Sequence, residues 1–417
     1  MRKITLAALA FFAGILSIFA QPSAKDTAAY VSKKLEVEEV NFISSYYHQD
    51  GNHSAVTGGI GSESLNDYAN VIELKLSKYG KKNFKHSIGT EIGVDYYTSA
   101  SSSKIVDTSL TSSASASISS NDQRYYPSLS YTLANEGKGY TVGFNYSFSH
   151  EFDYLSNGIG ISFTKTSKDQ NRELGLKFNA YLDRYTIIPP SEFRTNTGGN
   201  DPHHNDEDED EGEGGGNYPK KPRDSYNLGF SYAQVLSKRV QMAFLLDLAY
   251  QNVFLSTPFH RVYFTDGTHN LEVLPGWRFK VPFGMRANFF LGDRFIIRSY
   301  YRFYFDTWGM KSNTVSLEVP VKITPFISIS PFYRFYQQNA IKYFHPYGQA
   351  DAASQYHTSD YDLSDFMSHF VGAGLRFAPE NGIFKRKHWN MIELRYGHYF
   401  RSDGLHSDIV SLNLKFK

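Results

Sequence analysis

This sequence predicts an all-β protein: a transmembrane, antiparallel, up-and-down β-barrel of about sixteen strands. Three observations predict it. Apolar and polar residues alternate with a period of two, as where Val410, Leu412, Leu414 and Phe416 oppose Ser411, Asn413 and Lys415. Such a strand has one apolar face and one wet face. The alternating segments are joined by short turns and long loops in regular succession, the asymmetry of bacterial barrels, whose short turns are periplasmic. Finally, aromatic residues make up 16% of the chain, with 31 Tyr and 33 Phe, although it is polar on average. A polar lumen and wet loops behind a thin apolar band reconcile those figures.

Met1-Arg2-Lys3 precedes an apolar run over residues 4–20 that ends Ser17-Ile18-Phe19-Ala20. This reads as a secretory signal peptide over residues 1–20, so Sec-type export is expected. A membrane anchor is the alternative, but the run is only marginally long enough to span. Residues 21–35 are then a periplasmic segment and residues 36–417 the barrel. No later run reaches the ~18 apolar residues of a spanning helix. There is no cysteine, hence no lipoprotein attachment site, disulfide framework or thiolate metal site. The net charge of +1 supplies no global field for nucleic acid.

The first strand is expected over residues 36–49, with Val40, Phe42 and Tyr46 on one face, followed by a Gly/Ser loop over 51–67. Ile72, Leu74 and Leu76 then alternate with Glu73, Lys75 and Ser77, up to a turn at Gly80-Lys81-Lys82-Asn83. The third strand sets Ile88, Thr90, Ile92, Val94 and Tyr96 outward against Gly89, Glu91, Gly93 and Asp95. A Ser-rich loop over 99–122 comes next. After a turn at Asn135-Glu136-Gly137-Lys138, Tyr140, Val142, Phe144, Tyr146 and Phe148 form an outward stripe. Further turns are expected at 167–171 and 237–239, at Gly292-Asp293 as a two-residue hairpin, at Thr324-Pro325 and over 379–387. Loops are expected over 151–155, 184–223, 252–277, 307–312, 339–365 and 401–407. An even strand count puts both ends of the barrel in the periplasm. A soluble β-sandwich is the competing fold, and it would gain nothing from the long-and-short loop asymmetry.

The face expected to point inward becomes charged in the second half. Arg298, Tyr300, Arg302, Tyr304 and Asp306 alternate with Ile297, Ser299, Tyr301, Phe303 and Phe305. With Arg286, Glu318, Lys322, Arg334, Arg376, Glu393 and Arg395 they form an arginine-rich wall with interleaved acids. Such a wall selects anions or grips a partner through guanidinium contacts. The plainer reading, which the interleaved acids favour, is a paired ladder that holds the wall together and largely neutralises itself.

Other candidates are weaker. The loop strings Gly58-Gly59-Ile60-Gly61 and Asp403-Gly404 are working-surface candidates. Without a following helix the first is no phosphate cradle, and it reads instead as a tightly packed loop folded into the lumen. The acidic run over 203–213 could gather divalent cations, but nothing fixes a coordination geometry, so a solvated loop is expected. His345, His357, Asp360 and Asp362 share one outer loop, and no metal site is assigned to them. His398 and Ser402 invite a lipid-hydrolase reading, with the His as base for the Ser. Outer-membrane hydrolases space that pair two apart; here it is four apart, and no catalytic residue is assigned. No cofactor is expected.

Several strings resemble a family of Gram-negative outer-membrane barrels catalogued as a domain of unknown function. They include Tyr46-Tyr47-His48-Gln49-Asp50-Gly51-Asn52-His53-Ser54, Leu255-Ser256-Thr257-Pro258-Phe259-His260-Arg261 and Tyr300-Tyr301-Arg302-Phe303-Tyr304-Phe305-Asp306-Thr307-Trp308-Gly309. Ser359-Asp360-Tyr361-Asp362-Leu363-Ser364 and Glu393-Leu394-Arg395-Tyr396-Gly397-His398-Tyr399-Phe400-Arg401 complete the likeness. The resemblance covers nearly all of residues 21–417 and implies an outer-membrane location with no established activity. It also implies neighbours in the genome: a thioredoxin-like protein, a small lipoprotein and a flavin transferase. A periplasmic lipoprotein or redox partner is therefore an expected partner beside outer-membrane lipid. Without cysteine, the chain cannot itself exchange disulfides. The resulting expectation is a porin-like conduit with an arginine-rich lumen; a loop-plugged scaffold barrel is the alternative.

Overall fold

A computed structural model describes residues 34–80, 84–98, 121–188 and 218–417. The expected signal peptide, the segment from 21 to 33, the turn residues 81–83, most of the Ser-rich loop and the acidic run 203–213 lie outside the described residues. No helix among the described residues is long and apolar enough to cross a membrane.

Alternation in the sequence becomes an antiparallel meander. Its first half comprises β1 (Glu36–Asp50), β2 (Leu65–Tyr79), β3 (Phe84–Thr98), β4 (Asn121–Asn135) and β5 (Tyr140–His150). It continues through β6 (Tyr154–Thr166), β7 (Arg172–Thr186), β8 (Lys220–Ser237) and β9 (Val240–Val253). A small external hairpin follows, made of β10 (Arg261–Tyr263) and β11 (His269–Leu271). The wall then resumes with β12 (Trp277–Leu291), β13 (Phe295–Asp306), β14 (Lys311–Glu318), β15 (Val321–Lys322) and β16 (Ile327–Gln338). It ends with β17 (Phe366–Phe377), β18 (Trp389–Arg401) and β19 (His406–Phe416).

The sheet closes on itself. β1 pairs with β2 on one side and β19 on the other, from Val40 opposite Phe416 to Asp50 opposite His406. β9 pairs with β12 across the external hairpin. Seventeen segments form this sheet, but β14 and β15 both lie between β13 and β16, so the wall has sixteen strands. The break between β14 and β15 falls at Val319-Pro320, because Pro320 has no N–H to give to the ladder.

One face of the wall is apolar and outward. Val142, Phe144 and Tyr146 on β5, Ile159, Ile161 and Phe163 on β6, and Leu174, Leu176 and Phe178 on β7 are all exposed. A contiguous apolar surface of this kind is stable only where hydrocarbon covers it. The inward face of the same strands is small and polar: Gly143 lies across from Ser162, and Gly175 across from Ser231.

The wall is taller than the band requires. β1 to β4 each have 15 residues, which at about 40° of tilt rise roughly 39 Å against the ~25 Å apolar belt of such barrels. The surplus stands above the belt and is polar. The ladder between β7 and β8 continues through Asp183–Arg223 and Tyr185–Lys221 to Thr186–Lys220. The expected loop over 184–223 therefore starts later than alternation of apolar residues suggested. The hairpin at Gly292 also differs from expectation: Leu291 pairs with Phe295, so the turn has three residues, and Gly292 takes a left-handed φ of 63°.

The external loops carry cores of their own. Leu274, Trp308, Met310 and Ile341 form one buried cluster, and Val262, Phe264 and Ala350 another.

Candidate functional site

The lower lumen gathers most of the predicted cations. Arg286, Arg298, Arg334 and Arg395 surround a cavity of about 480 Å³ together with Glu318. Arg298 Nη1 lies 3.3 Å from Glu318 Oε1, and Arg395 Nη1 lies 3.6 Å from the same oxygen and 3.1 Å from Glu393 Oε1. The remaining guanidiniums rest on aromatic faces. Arg286 sits 5.5 Å from the Tyr300 ring centroid, Arg302 5.8 Å from Tyr304 and Arg334 5.7 Å from Phe370. Among the described residues, Arg298 and Arg395 pair with acids whereas Arg286, Arg302, Arg334 and Arg376 make no ion pair, so the wall is paired only in part. Too few acids point into it. Arg376 is in register with Glu393 but donates through Nε to Met391 Sδ at 3.0 Å. Lys322 on β15 lies opposite Ser328, at the turn end of the wall.

Asp306 is not part of this wall. Its buried carboxylate sits at the loop end of β13, clamped by Arg278, whose Nε donates at 2.8 Å, and by the Tyr304 hydroxyl at 2.6 Å. Arg278 stacks on Trp308 with 4.3 Å to the ring centroid. Alternation carries no signal for the depth of Asp306 or for its partner, which lies 28 residues away in the chain.

The opposite wall is acidic. β3 and β13 stand eight places apart in the sixteen-strand ring. Glu73 on β2 and Glu91 on β3 are in register with each other, and with Glu39, Asn41 and one cation, Lys75, they line a cavity of about 430 Å³, where Glu39 is paired with Lys415 at 2.8 Å.

The mouth is narrowed by loops. The glycine string after β1 turns inward, so that Ala55 and Val56 share a cavity of about 770 Å³ with Tyr47, Tyr97 and Tyr399. Gly58, Gly59 and Gly61 all have left-handed φ, of 81°, 88° and 87°. A Cβ on Gly58 would lie 2.6 Å from the Tyr263 ring, and one on Gly59 would lie 2.9 Å from the Ser359 carbonyl. Glycine is required because two other loops close on this one. Arg261, 1% exposed, donates from Nη1 to the Val56 carbonyl at 2.7 Å, and His53 stacks on Tyr361 at 3.8 Å. Asp403, a predicted loop residue, anchors a further clamp: Arg401 grips it while Nη1 reaches Asp362 at 2.5 Å. Periodicity held no signal for Arg261, Arg401 or Arg278, whose partners are remote in sequence or at strand ends.

Carboxyls in this mouth are perturbed. Burial, with help from Asp362, pushes Glu63 up to about 7. Burial and then Glu151 push Asp153 up to about 6.

The four loop residues considered for metal do not form one site. His357 faces the Ser354 and Leu271 carbonyls, both at 3.2 Å, and Asp362 is taken by Arg401. Asp360 instead approaches two residues from another loop. His260 Nδ1 lies 3.9 Å from Asp360 Oδ2 and 3.5 Å from Glu272 Oε1. Burial opposes charging His260, but Glu272 and Asp360 outweigh it and hold its pKa above the ordinary value. Burial and then Asp362 raise Asp360 to about 6.

His398 and Ser402 have separate partners. His398 Nδ1 is 2.9 Å from Asp408 Oδ1, whereas Ser402 Oγ accepts from the Met367 N–H at 3.0 Å.

A closed sixteen-strand wall, an apolar exterior and a loop-narrowed polar lumen define an outer-membrane-type β-barrel. Residues 1–399 match the family described as "Protein of unknown function (DUF3570)", and the chain belongs to that family. Solved structures similar to it include a BenF-like porin from Pseudomonas fluorescens Pf-5, at 7% identity and TM-score 0.42, covering 91% of this chain and 98% of that one. OprD from Pseudomonas aeruginosa aligns at 8% identity and TM-score 0.42, over 93% and 99%. OccD3 (OpdP) from the same organism aligns at 7% and 0.42, over 95% of each. At these values no function is carried across. No curated protein matches the chain.

Proposed function

We propose that the protein is an outer-membrane conduit for small anions, held in the lipid by its apolar belt after Sec-type export. One observation carries this reading: four guanidiniums, of Arg286, Arg298, Arg334 and Arg395, meet around one 480 Å³ cavity that holds a single lining carboxylate, Glu318. Cations seated on ring faces stay available to a passing anion, because an aromatic quadrupole orients them without cancelling their charge. The acidic wall opposite adds a transverse field that pulls anions to the arginine side. In planar bilayers with a KCl gradient, purified full-length protein is expected to give discrete conductance with a reversal potential on the chloride side. A cation-selective current would overturn the reading.

The interlocked mouth favours a second reading, a plugged scaffold that anchors a periplasmic lipoprotein or redox partner. Arg261, His53 and Arg401 tie three loops together across the lumen. A silent bilayer together with a periplasmic protein co-purified from native membranes would support the scaffold instead.

A further inference from the structure

We propose that His260, Glu272 and Asp360 form a binding site for one divalent transition-series cation, which staples the external loops over the lumen. The three side chains come from three segments: the loop before β10, the segment just after β11, and the long loop between β16 and β17. One ligand atom from each lies within 4.8 Å of the others. His260 Nδ1 is shielded from solvent and has no hydrogen-bond partner, although two carboxylates face it. A buried polar atom is rarely left so, because it forfeits its hydration without replacement.

The spacing is that of ligands around an ion, not of a hydrogen bond. Bonds of about 2.1 Å in a tetrahedral sphere put neighbouring ligand atoms about 3.4 Å apart. His260 Nδ1 and Glu272 Oε1 are 3.5 Å apart, and the 3.9 Å to Asp360 Oδ2 closes with a small loop movement. Both carboxylates are also held from behind. Glu272 accepts from the Thr257 N–H and the Thr358 hydroxyl, each at 3.0 Å, while Asp360 Oδ1 accepts from the Asp362 N–H at 2.9 Å. Outer contacts of this kind fix ligand orientation in metal sites. His260 and Asp360 border the 770 Å³ cavity, which gives an entry path and room for water to complete the sphere.

Donor chemistry sets the class of ion. One imidazole nitrogen with two carboxylate oxygens suits Zn²⁺ or Mn²⁺; Ca²⁺ and Mg²⁺ prefer all-oxygen shells. The site does not depend on what crosses the lumen, so its test uses no transport readout. Full-length protein in detergent is stripped with chelator, exposed to Zn²⁺, Mn²⁺ or Ca²⁺, desalted, and its metal content measured. The expected result is one equivalent of Zn²⁺ or Mn²⁺ and no Ca²⁺. His260→Ala and Asp360→Asn each abolish retention, Thr358→Val weakens it by about 10–100-fold, and His357→Ala leaves it unchanged. Exchanging the carboxylates of residues 206–213 for serine also leaves it unchanged, which removes the acidic run as the binder. Circular dichroism reports whether each variant keeps its β-sheet, and near-isosteric Asp360→Asn carries the comparison if His260→Ala fails to fold. Wild-type protein that retains no metal, or equal retention by folded Asp360→Asn, overturns the proposal.

Discussion

Arg401 and Asp403 form a two-pronged ion pair across the tip of the last hairpin, with Nε 3.1 Å from Oδ1 and Nη2 2.5 Å from Oδ2. Both side chains are buried, at 5% and 10% exposure, and the guanidinium carbon also sits over the Phe366 ring, 3.8 Å from its centroid. Removing one partner of a buried pair leaves the other desolvated and unpaired, at a cost of about 3–5 kcal/mol. Arg401→Ala is expected to free the loop over 339–365 while leaving the wall intact. Limited proteolysis should cut that loop at least about tenfold faster, with the β-sheet circular dichroism unchanged.

Charge in the lower lumen should govern ion preference. Replacing both Arg298 and Arg334 by glutamine removes two of the four guanidiniums around the cavity. At about 1 kcal/mol of local potential per screened charge, the chloride-to-potassium permeability ratio should fall roughly fivefold or more. Glu318→Gln should shift the reversal potential the other way.

Gly59 tests how tightly the mouth is clamped. An added methyl meets the Ser359 carbonyl at 2.9 Å and must adopt a φ of 88°. Gly59→Ala should therefore cost at least about 1–3 kcal/mol in loop packing. Hydrogen exchange over residues 51–64 should accelerate, whereas exchange in β12 and β13 should not change.

The mouth should also respond to pH. Glu63 has a folded value of about 7 against an ordinary 4.5. The packed loop thus holds a proton that an opened loop gives up between those values. Its packing is firmest below pH 4.5, weakens as pH climbs toward 7, and carries the whole cost above it. Hydrogen exchange of residues 51–64, corrected for intrinsic rates, should show more opening at pH 8 than at pH 5. Glu63→Gln should erase the difference.

Ile161, midway along β6 and 56% exposed, tests the lipid-facing belt. A cation at the middle of a bilayer costs a barrel about 2–4 kcal/mol. Ile161→Arg should lower stability by that amount in urea titrations of vesicle-embedded protein. Stability indifferent to the substitution would contradict the belt.

The strands were legible in the sequence because a barrel wall repeats one local rule. Val142, Phe144 and Tyr146 need only their own spacing to be read as outward, and the closing pair of β1 and β19 follows from an even count. What escaped were features set by partners far along the chain. The break at Pro320 could have been seen, since a proline inside a run marks an interrupted ladder. Nothing local joins His260 to Asp360 or Arg278 to Asp306. Alternation puts Arg298 and Arg302 on one face of β13, yet whether a guanidinium finds an acid or a ring depends on the register of its neighbours. The glycine string signals tight packing around Gly58 and Gly59, but their neighbours, Tyr263 and Ser359, come from loops whose folding has no periodic signature.

The buried hydrogen bond from Arg261 to the Val56 carbonyl joins positions 205 residues apart. The loop after β1 is thereby tied to the segment at the start of β10, so whatever loosens one of them loosens the other.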